Sequence, residues 1–250
     1  TIVVDAGEPR NAPASHMHSY LGHEGLPPNE LTAIARREVR SYGGEILSAR
    51  ATNVARTPDG RFRVELASGN AVVARRVLLA SGLIDELPDI DGIAELWGTD
   101  VIHCPFCHGY EVRDQRIVQI ITHPIGLHPA GLFRQLTEDF AMVLHDGVET
   151  DAAELDVFRR AGVQVVDAKV RRLATDQNGR LEAVELSTGQ RLEADAVAIA
   201  TRFTVRARPL TSLGVAMEAH PTGLGDVVTI GPNGETSAPG VFAAGNVVDP

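Results

Sequence analysis

The chain is poor in several residue types. Among 250 residues there are two cysteines, three methionines, one tryptophan, three tyrosines and seven phenylalanines. Each scarcity excludes something. Two cysteines cannot staple a small secreted domain, so a reducing, cytoplasmic setting is expected. So few aromatics leave no stacking platform for bases. No run of apolar residues is long enough to cross a bilayer as a helix, so no membrane partner is expected. Positive charge is also short, with 23 Lys and Arg against 33 Asp and Glu, a net charge of −10 and a pI of about 5.3. Nucleic acid is thereby excluded as a main partner, because phosphate binding needs a basic surface. The rest is ordinary: 44% hydrophobic and 22% charged residues, enough for one large or two modest globular domains.

Apolar runs bounded by Gly, Pro and Asp punctuate the chain. "TIVVD" (1–5) reads as a buried parallel strand, and 6–28 reads as loop. Asn29 is placed to cap a helix running to about Tyr42, with Gly43-Gly44 as its stop. Strands follow near 45–50 and 52–57, then a "PDG" turn, "RFRVELA", an "SGN" turn and "RVLLA". The pattern then returns. "VELASG" (64–69) is matched by "VELSTG" (184–189), 120 positions on, and "GGEILSAR" (43–50) by "GVQVVDAK" (162–169), 119 positions on. "IVVDAG" (2–7) resembles "MVLHDG" (142–147), which sets His145 opposite Asp5. A repeat this long implies a duplicated nucleotide-binding unit rather than a solenoid. The second copy has a strand (116–121) and a helix-like segment (128–136) with no counterpart after Thr1. In a Rossmann unit that opening strand, Gly-rich turn and helix hold the pyrophosphate, so the first copy is expected to have them upstream, the sequence in hand being a fragment.

Asp5 ends a strand where an acid can accept from a ribose hydroxyl, although strand-end acids are also common in plain loops. In the second copy the glycines expected within "IITHPIGLHPAG" are reduced to Gly126, and no Arg follows His145, which makes NADPH binding there questionable. Both cysteines lie in "HCPFCHGYE" (103–111). A C-x-x-C-H could attach a haem, form half of a zinc site, bury two inert thiols or act as a redox dithiol. Haem fits an α/β duplication poorly, and zinc needs two more ligands. The dithiol suits a pair that follows a strand and opens a helical turn, where the sulfurs meet and a thiolate is stabilised. His108 then stands where it can shuttle the proton of exchange. His16, His18 and His23 read as a polar flap or surface loop.

Four segments, "VVDAGEPRNAP" (3–13), "LLASG" (78–82), "CPFCHGYE" (104–111) and "TSAPGVFAAGNV" (236–247), resemble the low-molecular-weight thioredoxin reductase-like flavoproteins. They are most similar to the branch of dithiol oxidases that close natural products such as gliotoxin and holomycin. The resemblance implies an α/β fold of two Rossmann-like three-layer domains, the first split around the second: an FAD-binding domain at 1–96 and 205–250, and an NAD(P)-binding-like domain at 97–204 carrying the dithiol. It implies that Asp5, Gly7 and Asn11 lie along the adenosine and pyrophosphate of FAD, that Val54 meets the adenine through backbone, that Ser81 and Gly82 pass close to the cofactor, and that Gly245 and Asn246 approach the flavin phosphate and ribityl chain. Cys107 would face the flavin and Cys104 would exchange with substrate. His108 replaces the Asp usual in reductases, and Asn246 replaces an Asp near the flavin. The implied activity is FAD-dependent thiol–disulfide oxidoreduction in a homodimer, on a small dithiol or disulfide or on a thioredoxin-like protein, with NADPH as donor or O2 as acceptor. A non-catalytic flavin- or nucleotide-binding redox sensor is the alternative.

Overall fold

The structure, a computed structural model, describes residues 1–250. In chain order it runs β1 (Ile2–Asp5), α1 (Pro28–Ser41), β2 (Glu45–Ser48), β3 (Ala51–Arg56), β4 (Phe62–Leu66), β5 (Ala71–Ala74), β6 (Val77–Leu79), β7 (Leu83–Glu86) and α2 (Ile93–Leu96). Then come β8 (Val101–Ile102), α3 (Pro105–His108), β9 (Ile117–Ile121), α4 (Ala130–Leu136), β10 (Phe140–Leu144), α5 (Ala152–Arg160), β11 (Gln164–Asp167), β12 (Val170–Thr175), β13 (Leu181–Leu186), β14 (Arg191–Glu193) and β15 (Ala196–Ile199). β16 (Arg202–Val205), β17 (Met217–Ala219), β18 (Asp226–Val228) and β19 (Val241–Ala243) complete it. Helix α1 begins at Pro28 rather than after Asn29. Proline suits the first helical position, where its missing N–H has no partner to lose.

Two compact units result: residues 1–12, 29–86 and 202–250, and residues 13–28 and 87–201. The first is interrupted in sequence by the second. The breaks fall at 86/87 and 201/202 instead of 96/97 and 204/205. Residues 13–28, read as part of the first domain, pack with the second.

The second unit is a three-layer α/β domain. Its sheet has the order β11-β10-β9-β15-β8, parallel throughout. Both faces are covered, which is why β10 and β15 read as unbroken apolar runs and β9 is interrupted only by the buried Gln119. Alternation along each strand sorts the side chains. Val118, Ile120, Val143, Val197 and Ile199 pack beneath the antiparallel meander β12-β13-β14. Ile117, Ile121, Met142, Ala196 and Ala198 pack against Phe133, Leu127 and Leu155 on the helical side.

The first unit contains the parallel pair β1-β2, the meander β3-β4-β5, the parallel pair β6-β19, and the antiparallel pairs β7-β16 and β17-β18. The duplication is visible in its hydrogen bonds. Leu66 N–H donates to Asn70 O at 2.9 Å, and Leu186 N–H to Gln190 O at 2.9 Å. The turns between them need a left-handed residue, supplied by Gly69 (φ 84°) and Gly189 (φ 86°). One alignment needs correcting. Asp5 pairs with Ser48 and Leu144 with Asp167, so Leu144, not His145, is the counterpart of Asp5. His145 lies one residue beyond, and its Nδ1 accepts the Val170 N–H at 3.0 Å. The parallel ladder sets this register. The apolar pattern of a short buried strand constrains it weakly.

Candidate active site and cofactor cradle

The dithiol sits in the second unit where β8 ends. β8 is buried and short, and the chain leaves it through His103 into α3. Cys104 is the N-cap, in extended conformation, and Pro105 starts the helical turn. Cys107 and His108 N–H both donate to Cys104 O, at 3.2 and 3.1 Å, which turns Cys107 back toward Cys104. No disulfide joins the two cysteines; Cys104 is half-buried and Cys107 exposed. A hydrogen bond from Cys107 is the main cause that pulls the Cys104 thiol down to about 6. The N–H groups of Phe106 and Cys107 and the nearby His103 reinforce it, while burial opposes it. Cys104 is thus mostly thiolate at neutral pH, the form that attacks disulfides and leaves from them.

His108 follows directly. Neither of its ring nitrogens has a hydrogen-bond partner in the protein, and burial pushes its pKa down, keeping the ring neutral near pH 7. A neutral, unpartnered imidazole next to a dithiol can take up a proton. Sequence reasoning overlooked the adjoining carboxylate. Glu111 Oε1 lies 2.7 Å from His18 Nε2, and His18 Nδ1 lies 2.5 Å from Glu24 Oε1. The signals were the Glu three residues after His108 and the histidines of the 13–28 segment. Nothing local in the sequence joins them.

In the first unit the residues expected to hold FAD gather at the carboxyl ends of parallel strands, the usual ligand-binding edge of such sheets. Leu79 pairs with Ala243, so Ser81-Gly82 and Gly245-Asn246 emerge side by side. Gly82 and Gly245 have φ of 71° and 76°, and no atom lies within 4 Å of where a Cβ would stand on either. A ligand can approach that backbone closely, and a side chain would fill the space. Ser81 Oγ donates to Arg206 O at 2.7 Å, and Arg206 Nη1 donates to Glu8 O at 2.7 Å. Arg206 thereby ties the loop after β1 to the loop after β6, a role with no local mark in the sequence. Asp5 accepts from Gly7 N–H at 2.9 Å and from Arg36 Nη2 at 2.6 Å, which holds its carboxyl below the usual range. It is one-third exposed and an acceptor suited to ribose hydroxyls. Asn11 is exposed in the turn that follows. Val54 differs: it is buried, and its carbonyl accepts from Ser212 Oγ at 2.5 Å, in competition with any use of that carbonyl for adenine. An exposed carboxylate and open left-handed glycines at a strand-end edge fit a dinucleotide flavin.

The loop after β9, a strand of the second unit with no counterpart in the first, is built differently. Ile125 N–H points to His123 Nδ1 (3.4 Å), Gly126 N–H donates to His123 O (2.8 Å), and Pro124 has no N–H. Two backbone donors of this loop, which could otherwise face a pyrophosphate, are thus used internally.

Comparison with known proteins agrees with this geometry. Residues 3–250 match the model of the pyridine nucleotide-disulphide oxidoreductase family. The chain is 29% identical to the thioredoxin reductase tcpT of Claviceps purpurea, over 98% of this chain and 78% of that one. It is 28% identical to the thioredoxin reductase sirT of Leptosphaeria maculans, over 99% and 79%. Among solved structures it is similar to HlmI (39% identity, TM-score 0.88, 100% of this chain and 77% of that one) and to an oxidoreductase from Agrobacterium tumefaciens (34%, 0.89, 100% and 82%). A dithiol at a helical turn, a cradle suited to a flavin and a family match over nearly the whole chain converge: this protein belongs to the pyridine nucleotide-disulphide oxidoreductase family and is an FAD-dependent thiol–disulfide oxidoreductase of the thioredoxin reductase type.

Proposed function

We propose that this enzyme oxidises small dithiols to disulfides, with Cys104, Cys107 and His108 as its catalytic residues. In the oxidised enzyme a substrate thiolate attacks Cys104 Sγ. The Cys104–Cys107 bond breaks, Cys107 leaves as thiolate, and a substrate–Cys104 disulfide forms. The second substrate thiol gives its proton to His108 and attacks the substrate sulfur of that bond, expelling the Cys104 thiolate. The product is a substrate disulfide, and the cysteine pair holds two electrons. The stabilised Cys104 thiolate is the observation that carries this reading, because it makes Cys104 the better leaving group.

Residues 1–12, 29–86 and 202–250 serve as the FAD domain, and 13–28 and 87–201 as the domain carrying the dithiol. Asp5, Gly7, Asn11, Ser81, Gly82, Gly245 and Asn246 would hold the flavin; Val54 would meet the adenine only in competition with its bond from Ser212 Oγ. When bound, FAD supplies a two-electron sink that dioxygen can empty, giving hydrogen peroxide. The occupied donors of the loop after β9 support O2 as acceptor over NADPH as donor. A homodimer working in a reducing cytoplasm completes the reading. The names of the curated relatives favour a second one, NADPH-driven reduction of a thioredoxin-like protein.

Anaerobic mixing of the flavin-loaded protein separates the two. Dithiothreitol bleaching the flavin rapidly while NADPH does not supports dithiol oxidation. The reverse pattern establishes the reductase.

A further inference from the structure

His108 must lose the proton it collects before it can work again, and its ring nitrogens are shielded from solvent. It lines a cavity of about 440 Å³ in the second unit, whose wall also carries Glu111 and Ser15. That volume holds several waters, each occupying about 30 Å³ in the liquid. Glu111 divides its carboxylate. Oε1 is engaged by His18 Nε2, while Oε2 is shielded and has no partner in the protein. His18 in turn meets Glu24 through its other nitrogen, and Ser19 N–H holds Glu24 Oε2 at 2.9 Å. A histidine that donates from both nitrogens is an imidazolium, and the carboxylates on its two sides favour that form, raising its pKa. Glu24 is the most open of the three, its side chain 65% exposed against 30% for Glu111 and 17% for His18.

We propose that Glu111 and His18 form a proton relay that empties His108 to solvent. Glu111 is the inner positioning residue, and the 13–28 segment contributes the outer half. The inference rests on the dithiol chemistry above. The proton passes from His108 across the cavity to Glu111. His18 gives its Nδ1 proton to Glu24, which releases it to water; the neutral ring, left protonated at Nε2, shifts through water to its Nδ1–H tautomer, and the bared Nε2 then takes the proton from Glu111, so that His18 ends as it began. The other charged groups on the cavity wall lie outside this chain. Asp100 is saturated by Arg180 and by Leu181 N–H, and Glu95 is exposed. His103, which also faces His108, is held at Ile199 O, 3.2 Å away. The segment's place against Glu111 is reinforced by the His18 ring, whose centroid lies 5.0 Å from that of Tyr110.

The test uses the flavin-loaded protein as wild type, Glu111→Gln, Glu111→Asp, His18→Asn and Cys107→Ser, each checked for native circular dichroism. Flavin reduction by dithiothreitol is followed from about pH 5.5 to pH 9, a range spanning ordinary His and Cys titrations, in H2O and D2O. The His108 ring proton is titrated by NMR in the same samples. Glu111→Gln and His18→Asn should each slow reduction by about tenfold, part of what a general base contributes, with a larger solvent isotope effect. The Glu111 carboxylate raises the His108 pKa, so Glu111→Gln should move the acid limb and the His108 titration to lower pH. Glu111→Asp should restore part of the rate. Wild-type rates and an unchanged pH profile in Glu111→Gln and His18→Asn, with Cys107→Ser inactive, overturn the relay alone. Turnover in Cys107→Ser overturns the dithiol chemistry beneath it. If Glu111→Gln does not fold, His18→Asn decides.

Discussion

The two units are copies that kept one set of positions and diverged at another. The meander turns match hydrogen bond for hydrogen bond, as in Thr57 N–H to Arg61 O and Asp176 N–H to Arg180 O, at 2.9 and 2.8 Å. The strand ends do not match. In the first unit they carry Asp5 and the open glycines Gly82 and Gly245. In the second, His123 and Pro124 close the loop after β9, and the dithiol is set after β8. Turn geometry is dictated by the backbone whatever the unit does, so it persists through duplication. Strand-end loops carry little of the packing and can be rebuilt for another task.

The comparison can be broken most sharply at the dithiol. Cys107→Ser should abolish dithiol turnover, because no intramolecular disulfide can form, while flavin content in the first unit stays at the wild-type level. A stopped-flow assay and an absorbance spectrum check both. Next come the glycines. Gly245→Val places a β-branched residue at φ 76° in the cradle and should cost about 1–2 kcal/mol in strain and most of the bound flavin. Gly126→Ala in the second unit adds a Cβ at an ordinary 3.5 Å from Ile121 and should leave flavin content unchanged.

A stability contrast follows. Asp100 is 3% exposed and accepts from Arg180 and from Leu181 N–H at 2.8 Å. Asp100→Ala should destabilise by about 1–3 kcal/mol, since it orphans a buried donor. Asp59 lies in the first-unit turn equivalent to the one carrying Arg180 and pairs with Arg61 at the surface, and Asp59→Ala should change the denaturation midpoint hardly at all. The smallest effect expected is a shift of titration. Cys104 alkylation should rise with pH through about 6 in the wild type. Cys107→Ala removes the largest stabilising hydrogen bond, so the rise should move to higher pH, read by timed iodoacetamide labelling and mass spectrometry.

Much of this was legible beforehand. The two copies showed in "VELASG" and "VELSTG", since a turn that needs a left-handed glycine between β-strands leaves a local mark. The C-x-x-C was legible for the same reason, its geometry being contained in four residues. The match of Asp5 to His145 is off by one because short apolar runs such as β1 and β10 carry no alternation to set their phase. Residues 13–28 were assigned to the wrong unit, and Glu111 went unnoticed. The contact that reveals both, His18 to Glu111, spans 93 residues and depends on where the 13–28 segment packs.

The sequence by itself determined the duplicated α/β architecture, the dithiol and its family, because periodicity, turn chemistry and short motifs are local properties of a chain. Only the tertiary structure decided which groups meet. It placed Arg206 between two strand-end loops, engaged the donors after β9 with His123, put Ser212 on the Val54 carbonyl and joined His18 to Glu111. Hydrogen bonds between residues far apart in sequence depend on strand register and loop packing, which the whole fold sets at once.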